Sequence, residues 1–318
     1  MTFQKINIIF GIDNNYIQQT AACINSLFEN NPLQKFHFYI LALDISATNK
    51  ETLQNWVASK NQTISFIDVD YDTINDFPIQ QHDYISLASY LRLFIPQLLP
   101  QSVSKALYID GDIIFNGQIT ELFDIDISNY ASAAVEDAPN NHPSRLGYDS
   151  DFSYFNAGFL LLNVEYLRKI NFTEKAIEYI KKNHDKIVLH DQDVLNALLH
   201  GKILFLPIKW NMLDCYYTKP FKIADKYKKE LKRHQKEAIT VHFSGPIKPW
   251  HYGCQHPLNK LYKKNAKTTQ IHSSINKWEG ISKFPFRIRW MILLKLPWNL
   301  IYLTNDILFR IEKRLRIL

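Results

Sequence analysis

The chain has 318 residues, of which 46% are hydrophobic and 21% charged; this composition is typical of a folded protein and excludes a disordered or collagen-like chain. Only nine glycines occur, and their spacing excludes the glycine-rich phosphate loops of dinucleotide-binding and P-loop proteins. The net charge of +6 comes entirely from residues 281–318, which hold eight basic and two acidic side chains. We therefore expect an anionic partner to bind mainly to this C-terminal segment.

Cysteine usage and hydropathy indicate the compartment. The number of cysteines is odd, they are widely spaced and they form no C-x-x-C pair: Cys23, Cys215 and Cys254. This pattern argues against a disulfide framework and against a thiolate zinc site. A reducing cytosol is the expected environment. The apolar run near the N-terminus is too short for a signal peptide, and no uncharged apolar stretch reaches the length of about 18 residues that a membrane-spanning helix needs.

Short apolar runs alternate with helical patterns along the chain, which predicts an α/β fold. The predicted strands, in chain order, are Ile6–Phe10, Phe36–Leu43, Thr63–Val69, Ala106–Ile109, Ala131–Val135, Phe159–Leu162 and Ile239–Phe243. The predicted helices are Tyr16–Phe28, Ser86–Ile95, which Pro96 ends, and Asp191–His200, which Asp191 caps and Gly201 closes. Because ligands of open α/β sheets gather at the carboxyl ends of strands, the polar residues that follow the strands are the site candidates.

Six pairs of aspartates stand at positions i and i+2, a spacing that suits a hard divalent cation. Most of these pairs are expected to be turns, helix caps or solvated strand ends. The pair Asp110 and Asp112 differs, because apolar residues flank it on both sides and unpaired buried carboxylates are costly. Gly111 between them lets a ligand approach the backbone closely. We therefore predict a cation at this pair.

A late strand supplies a third candidate ligand. His242 lies near the end of this strand, and imidazole joins carboxylates on Mn²⁺. Lys248 follows a turn that contains Gly245 and Pro246, and its ammonium is suited to meet a phosphate. A purely structural histidine beside a proline-rich turn is the alternative for His242. The three matching segments together favour the metal site.

Over about residues 5–255, the chain resembles family 8 glycosyltransferases of the bacterial lipooligosaccharide α-galactosyltransferase type. Six ordered motifs carry the resemblance: Phe10-Gly11-Ile12-Asp13-Asn14-Asn15-Tyr16, Ser89-Tyr90-Leu91-Arg92-Leu93, Tyr108-Ile109-Asp110-Gly111-Asp112, Phe155-Asn156-Ala157-Gly158, Asp191-Gln192-Asp193 and the run from His242 to Trp250. The resemblance implies a GT-A fold over residues 1–280, with a mixed, mostly parallel central sheet flanked by helices. It also implies a UDP-sugar donor and Mn²⁺, with Mg²⁺ as the alternative ion.

The resemblance further implies roles for residues by matching position. The implied metal ligands are Asp110, Asp112 and His242. The implied nucleotide-sugar site contains Gly11, Asp13, Asn15, Tyr16, Arg92, Asp110, Gly111, Asp112, Asn156, Ala157, Asp191, Gln192, Gly245 and Lys248. The implied catalytic residues are Gln192, Asp191 and Asp137, and the implied acceptor side holds Tyr84, Ile85 and Ser89. Tyr84 departs from the family pattern, which has a histidine there, and this leaves the identity of the acceptor open.

The implied reaction is transfer of galactose or glucose to a lipid-linked saccharide of lipooligosaccharide or lipopolysaccharide, with retention of anomeric configuration. The metal and Lys248 would stabilise the departing UDP. Gln192 stands where a double displacement needs a carboxylate, and an amide is a poor nucleophile, so front-face attack is an equal candidate. Asp191 and Asp137 are then expected to bind sugar hydroxyls. The alternatives are a metal-dependent phosphoesterase that uses Asp110 and Asp112, and a non-catalytic protein that binds sugar nucleotides or membranes.

Residues 281–318 form the second predicted segment. Basic residues occur there with Trp and Phe, and Leu300, Leu303, Ile307 and Ile311 recur at helical spacing, a pattern typical of a helix in the membrane interface. We therefore expect a basic amphipathic tail on an anionic membrane surface, which places the enzyme in the cytoplasm, peripheral on the inner face of the bacterial inner membrane. Packing on the main domain or a dimer contact are the alternatives. Nucleic acid is not an expected partner, because it would leave the metal-site residues unexplained.

Overall fold

The structure is a computed structural model that describes residues 5–79, 85–137, 143–149, 151–218, 225–229, 231–251, 254, 256–269 and 271. Its strands are β1 (Ile6–Asp13), β2 (Phe36–Leu43), β3 (Thr63–Asp68), β4 (Lys105–Ile109), β5 (Ile113–Phe115), β6 (Ser132–Glu136), β7 (Phe155–Asn163), β8 (Ile203–Phe205), β9 (Met212–Leu213) and β10 (Thr240–His242). The α-helices are α1 (Ile17–Asn30), α2 (Ala47–Ser59), α3 (Ile95–Leu98), α4 (Thr120–Asp124), α5 (Val164–Lys169), α6 (Phe172–Lys182), α7 (His190–Leu199), α8 (Cys215–Thr218), α9 (Asp225–Lys228), α10 (Leu231–Lys236) and α11 (Asn259–Thr269). Tyr84 and residues 281–318 lie outside the described residues.

The main sheet is mixed and mostly parallel, as predicted. Its strand order is β3-β2-β1-β4-β7-β6-β8, and β7 alone runs antiparallel to both of its neighbours. All the other pairs in this sheet are parallel. The carboxyl ends of β1 and β4 therefore lie side by side, and the residues that follow these two strands face a common space.

A second, three-stranded sheet positions the predicted histidine. Its order is β5-β10-β9, with β10 antiparallel to β5 and parallel to β9. His242 pairs with Ile113, the residue that directly follows Asp112. The ladder between two strands that are distant in the chain therefore places the imidazole beside the aspartate pair.

Apolar side chains of the central strands alternate between two cores on opposite faces of the main sheet. In β1, Ile8 and Phe10 pack in one core together with α1, while Ile9 packs in the other core. In β4, Leu107 and Tyr108 divide in the same way. Strands that are covered on both faces have continuous apolar runs, since every side chain is buried. This is why the central strands were recognisable from sequence.

Two predicted helix boundaries differ from the structure. The segment Leu87–Phe94 is a 3₁₀ helix, and Pro96 lies in the first turn of α3 instead of ending a helix; proline is tolerated there because the first turn needs no N–H donor. Asp191 lies in the first turn of α7 but is not its cap, because its carboxylate pairs with Arg92. Gly201 follows α7 with a φ of +74°, which confirms it as the residue that closes this helix.

Among the helices of the residues that the structure describes, none has both the length and the apolar character needed to cross a bilayer. The basic segment 281–318, which carries the prediction of a membrane surface, is not among those residues.

Candidate active site

A cavity of about 350 Å³ opens where β1, β4 and β10 end. The predicted site residues that line it are Gly11, Asp13, Tyr16, Ile85, Ser89, Arg92, Asp110, Gly111, Asp112, Asp137, Asn156, Ala157, Asp191, Gln192, His242, Gly245 and Lys248. Asn15 is exposed and does not line the cavity, although its N–H donates to Asp13 Oδ1 at 2.9 Å. The fold thus gathers residues from seven separate segments of the chain into one cavity.

Asp110, Asp112 and His242 converge in this cavity. One ligand atom from each lies within 4.8 Å of the others. His242 Nε2 is 3.2 Å from Asp112 Oδ1 and 3.8 Å from Asp110 Oδ2. Asp112 Oδ1 is buried and accepts no hydrogen bond from the described residues. Two carboxylates and an imidazole with a buried, unsatisfied oxygen fit a hard divalent cation.

Gly158 belongs to this metal-binding group, although the sequence predicted no role for it. It packs directly beneath the group, and a Cβ atom at this position would lie 2.5 Å from Asp110 Oδ2 and 2.4 Å from His242 Cε1. Its carbonyl oxygen also accepts the N–H of Asp110 at 2.9 Å. Only glycine leaves room for the carboxylate and the imidazole to approach.

Lys248 is buried beside the same carboxylate. Its Nζ lies 2.6 Å from Asp112 Oδ2 and donates to the Phe243 carbonyl oxygen at 2.7 Å. Burial alone would raise the pKa of Asp112, but the Lys248 ammonium lowers this pKa well below its ordinary value. Asp112 is therefore a carboxylate across the neutral pH range, and Lys248 adds a fixed positive charge to this end of the cavity.

Arg92 connects the metal-binding group to the opposite wall. Its guanidinium pairs with Asp110 at 2.8 Å and with Asp191 at 2.9 Å, and Nη1 donates to the Ala157 carbonyl oxygen at 2.5 Å. It also lies over the Tyr108 ring, 4.4 Å from the centroid. Burial raises the pKa of Asp191 above its ordinary value, and Arg92 opposes this shift. The arginine thus holds two carboxylates in one fixed arrangement.

Gln192 is oriented by hydrogen bonds on both sides of its amide. Its Oε1 accepts the Ala157 N–H at 2.9 Å and the Asn156 side-chain N–H at 3.2 Å. Its Nε2 donates to Asp137 Oδ2 at 2.8 Å. The two acceptor positions of the amide oxygen are therefore engaged by the protein itself.

The start of α7 is strained, and a buried aspartate holds it. His190 adopts a φ of 50°, in the left-handed region, which costs about 1–3 kcal/mol for a residue other than glycine. The donors to the fully buried Asp193 carboxylate are Val188 N and Leu189 N at 2.7 and 2.8 Å, and Arg145 Nη2 and Tyr154 Oη at 2.6 Å. This network positions Asp191 and Gln192. Asp193 belongs to one of the six aspartate pairs, but no sequence signal assigned it this role.

Asp214 is a further cavity residue that sequence reasoning missed. Its carboxylate accepts the Thr218 hydroxyl at 2.8 Å, and a Cβ atom on Gly245 would lie 2.8 Å from it. The carboxylate therefore packs closely under the turn at Gly245. No motif in the sequence marks Asp214, because only the fold brings α8 against that turn.

Aromatic side chains border the cavity at the β1 end. Tyr16 is half-buried and meets the Trp250 ring edge-on, with centroids 5.8 Å apart. Trp250 in turn packs on Tyr262 of α11 at 5.1 Å. Such pairs favour a rigid apolar wall, which is suited to a planar ring.

Comparison with known proteins agrees with this geometry. Residues 7–254 match Glycosyl transferase family 8. The chain is 30% identical over 268 residues to the lipopolysaccharide 1,2-glucosyltransferase of Escherichia coli K12, covering 82% of this chain and 78% of that protein. It is 27% identical over 266 residues to the lipopolysaccharide 1,3-galactosyltransferase of Salmonella typhimurium, covering 81% and 77%.

A solved structure has the same fold. The galactosyltransferase LgtC, in complex with donor and acceptor sugar analogues, superposes with a TM-score of 0.75 at 25% identity. The match covers 88% of this chain and the whole of that chain. It confirms the predicted GT-A fold. The family match spans most of the described residues and all the segments that line the cavity, and the chain therefore belongs to glycosyl transferase family 8.

Proposed function

We propose that this glycosyltransferase is a retaining hexosyltransferase that moves galactose or glucose from a UDP-sugar to a saccharide acceptor on lipooligosaccharide or lipopolysaccharide. The observation that carries the proposal is the convergence of Asp110, Asp112 and His242 beside Lys248 in the cavity. The lipopolysaccharide glucosyl- and galactosyltransferases among the relatives support the hexose and the acceptor class.

The metal end of the cavity is proposed to bind the diphosphate. A divalent ion there, Mn²⁺ with Mg²⁺ as the alternative, supplies positive charge that stabilises the departing UDP. Asp110, Asp112 and His242 hold this ion, and Lys248 adds a second positive charge from the chain. Gly245 keeps the turn free of a side chain where the phosphates approach the backbone.

The nucleoside is proposed to lie at the β1 end. Tyr16 offers an aromatic wall for the uracil ring, and Asp13 offers a carboxylate for the ribose hydroxyls. Gly11 and Gly111 let neighbouring segments pack closely at this end, since a Cβ atom on Gly11 would lie 3.2 Å from the Ala88 carbonyl oxygen and one on Gly111 would lie 2.9 Å from Thr20 Oγ1. Asn15 helps through its N–H, which holds the Asp13 carboxylate in place.

The donor sugar is proposed to lie between Arg92 and Gln192, with Asn156 and Ala157 beneath it. Asp191 and Asp137 accept hydrogen bonds from its hydroxyls. Both acceptor positions of Gln192 Oε1 are occupied by protein donors, so this oxygen is poorly placed to attack the anomeric carbon. We therefore favour front-face attack by the acceptor hydroxyl over a double displacement.

The acceptor is proposed to enter past Ile85 and Ser89, which line the same cavity. Tyr84, the remaining residue of the predicted acceptor side, directly precedes Ile85 in the chain. The catalytic domain is proposed to cover residues 1–280, with residues 281–318 as the segment that contacts an anionic membrane. This places the enzyme in the cytoplasm, at the inner face of the membrane that carries the lipid-linked acceptor.

The decisive experiment measures UDP release from UDP-galactose and UDP-glucose with Mn²⁺, with and without a lipooligosaccharide acceptor. The Asp110→Ala, Asp112→Ala double variant is expected to lose transfer by about 1,000-fold or more, because it removes two of three proposed metal ligands. Asp124→Ala, Asp126→Ala is the matched control, since these exposed aspartates are also spaced i, i+2 but do not line the cavity. No UDP release from any donor would contradict the proposal, and phosphate-ester hydrolysis without an acceptor would favour the phosphoesterase.

Removal of residues 281–318 tests the membrane proposal. The full chain is expected to sediment with vesicles that contain anionic lipid and to be released by salt, because each basic residue near such a surface contributes about 1 kcal/mol. The truncated chain is expected to stay in the supernatant and to keep its activity on a saccharide acceptor without the lipid. Equal sedimentation of both chains would contradict the proposal.

A further inference from the structure

A buried chain of amide side chains connects the metal-binding group to the sugar end of the cavity. Its central member is Asn211, which directly precedes β9 and is fully buried. Asn211 Oδ1 lies 3.0 Å from His242 Nδ1, and Asn211 Nδ2 donates to Asn156 Oδ1 at 2.8 Å.

The backbone determines the direction of every hydrogen bond in this chain. The Gly158 N–H, which is only a donor, meets Asn156 Oδ1 at 3.0 Å, so that atom is the amide oxygen. The Asn211 atom that faces this oxygen at 2.8 Å is therefore the donor nitrogen. The Asn211 atom that faces His242 is then the oxygen, and the imidazole must carry its proton on Nδ1.

In the neutral imidazole, this assignment leaves the lone pair on His242 Nε2. That atom faces Asp112 Oδ1 at 3.2 Å and Asp110 Oδ2 at 3.8 Å. Acceptor atoms at such distances repel each other, and a cation among them turns the repulsion into coordination. A histidine that binds a metal through one ring nitrogen commonly donates the other N–H to a protein acceptor, which sets its orientation and basicity.

We propose that Asn211 is a positioning residue that holds His242 in the Nδ1–H form and thereby prepares Nε2 for the metal. The role in catalysis rests on the proposed function, whereas the form of the imidazole does not. The role requires an amide, because the oxygen serves His242 and the N–H group serves Asn156.

The same chain continues to the reacting end of the cavity. Asn156 Nδ2 donates to Gln192 Oε1 at 3.2 Å, and the Ala157 N–H donates to the same oxygen at 2.9 Å. Gln192 Nε2 is thereby directed to Asp137 at 2.8 Å. Asn211 therefore orients the metal ligand His242 directly, and it orients the Gln192 amide beside the donor sugar through Asn156.

The first test needs neither metal nor substrate. Ring nitrogen–proton correlation NMR on histidine-labelled, metal-free protein reports which nitrogen of His242 is protonated, and His242→Gln assigns the signal. The wild type is expected to show a protonated Nδ1. In Asn211→Leu the acceptor is gone, and the ring is expected to lose this preference. A wild-type ring without a proton on Nδ1, or an unchanged ring in Asn211→Leu, would overturn the proposal.

The second test measures Mn²⁺ binding directly from the EPR signal of the free ion. Asn211→Leu is expected to bind Mn²⁺ about 10- to 100-fold more weakly, the usual effect of losing such a partner. Asn211→Asp keeps an acceptor for Nδ1–H and is expected to bind within about threefold of the wild type. Its carboxylate cannot donate to Asn156 Oδ1, so its kcat is expected to fall by about tenfold or more while KM for the donor changes less. Equal Mn²⁺ binding by Asn211→Leu and the wild type would overturn the proposal.

A matched control separates positioning from general stability. Asn25 is a buried asparagine in α1 that donates to Asn265 Oδ1 at 2.8 Å and does not line the cavity. Asn25→Leu removes a comparable buried amide pair and is expected to lose stability without changing Mn²⁺ binding. The same loss of Mn²⁺ in both leucine variants would contradict the positioning role. If the NMR result holds but the wild type transfers no sugar, the proposed function fails and the inference about His242 stands.

Discussion

Gly158→Ala is expected to abolish transfer, with a fall of about 100-fold or more in both kcat and Mn²⁺ affinity. The added Cβ would lie 2.5 Å from Asp110 Oδ2 and 2.4 Å from His242 Cε1, well inside van der Waals contact. Neither atom is free to retreat, because Arg92 holds the Asp110 carboxylate and Asn211 holds the imidazole. The measurements are UDP release and Mn²⁺ titration by EPR.

Gly117→Ala is the control for the added methyl group. Its Cβ would meet Ile239 Cδ1 at 2.8 Å, outside the cavity. Overpacking of this kind costs about 1–3 kcal/mol of stability, and Mn²⁺ binding is expected to remain unchanged. If Gly158→Ala binds Mn²⁺ as the wild type does, Asp110 and His242 do not share a cation.

Arg92→Met is expected to abolish transfer and to lower the free energy of unfolding by about 3–5 kcal/mol. The substitution keeps the aliphatic volume but leaves two carboxylates, Asp110 and Asp191, without their shared positive charge. Urea unfolding measures the stability, and UDP release measures the activity. Arg168→Met is the matched control, because within the described part of the chain the Arg168 guanidinium hydrogen-bonds to backbone carbonyl oxygens, those of Pro96 and Val103 among them.

The stability deficit of Arg92→Met is expected to depend on pH. Burial already raises the pKa of Asp191 above its ordinary value of 3.8, and removing Arg92 raises this pKa further. The folded state then binds a proton more tightly than the unfolded state, so the deficit is largest at neutral pH and shrinks as the pH falls through the raised pKa. Unfolding at about pH 7.5 and about pH 5 measures this. A stability deficit of Arg92→Met that grows on acidification would contradict this role of Arg92. Loss of transfer by folded Arg168→Met protein would contradict it as well.

The six aspartate pairs show which residue roles a local sequence pattern predicts and which it does not. The expected turn and surface roles are confirmed by Asp70, Asp126 and Asp149, whose carboxylates accept nearby N–H groups, and by Asp68, which pairs with Lys50 at the surface. Flanking apolar residues correctly singled out Asp110 and Asp112, which are brought together with His242. The pattern did not identify Asp193, because its carboxylate acts on Val188 and Leu189 through a network that only the folded chain assembles.

The sequence by itself determined the α/β class, most of the central strands and the group Asp110, Asp112 and His242, because continuous apolar runs and polar strand ends are local properties. The tertiary structure alone decided the roles of Gly158, Asn211 and Asp214. Each of these roles depends on a group supplied by a distant segment. The Asp110 carboxylate lies against Gly158, the His242 imidazole lies beside Asn211, and the turn at Gly245 packs on Asp214. Side-chain type predicts what a residue is able to bond, but packing determines which partner lies within reach.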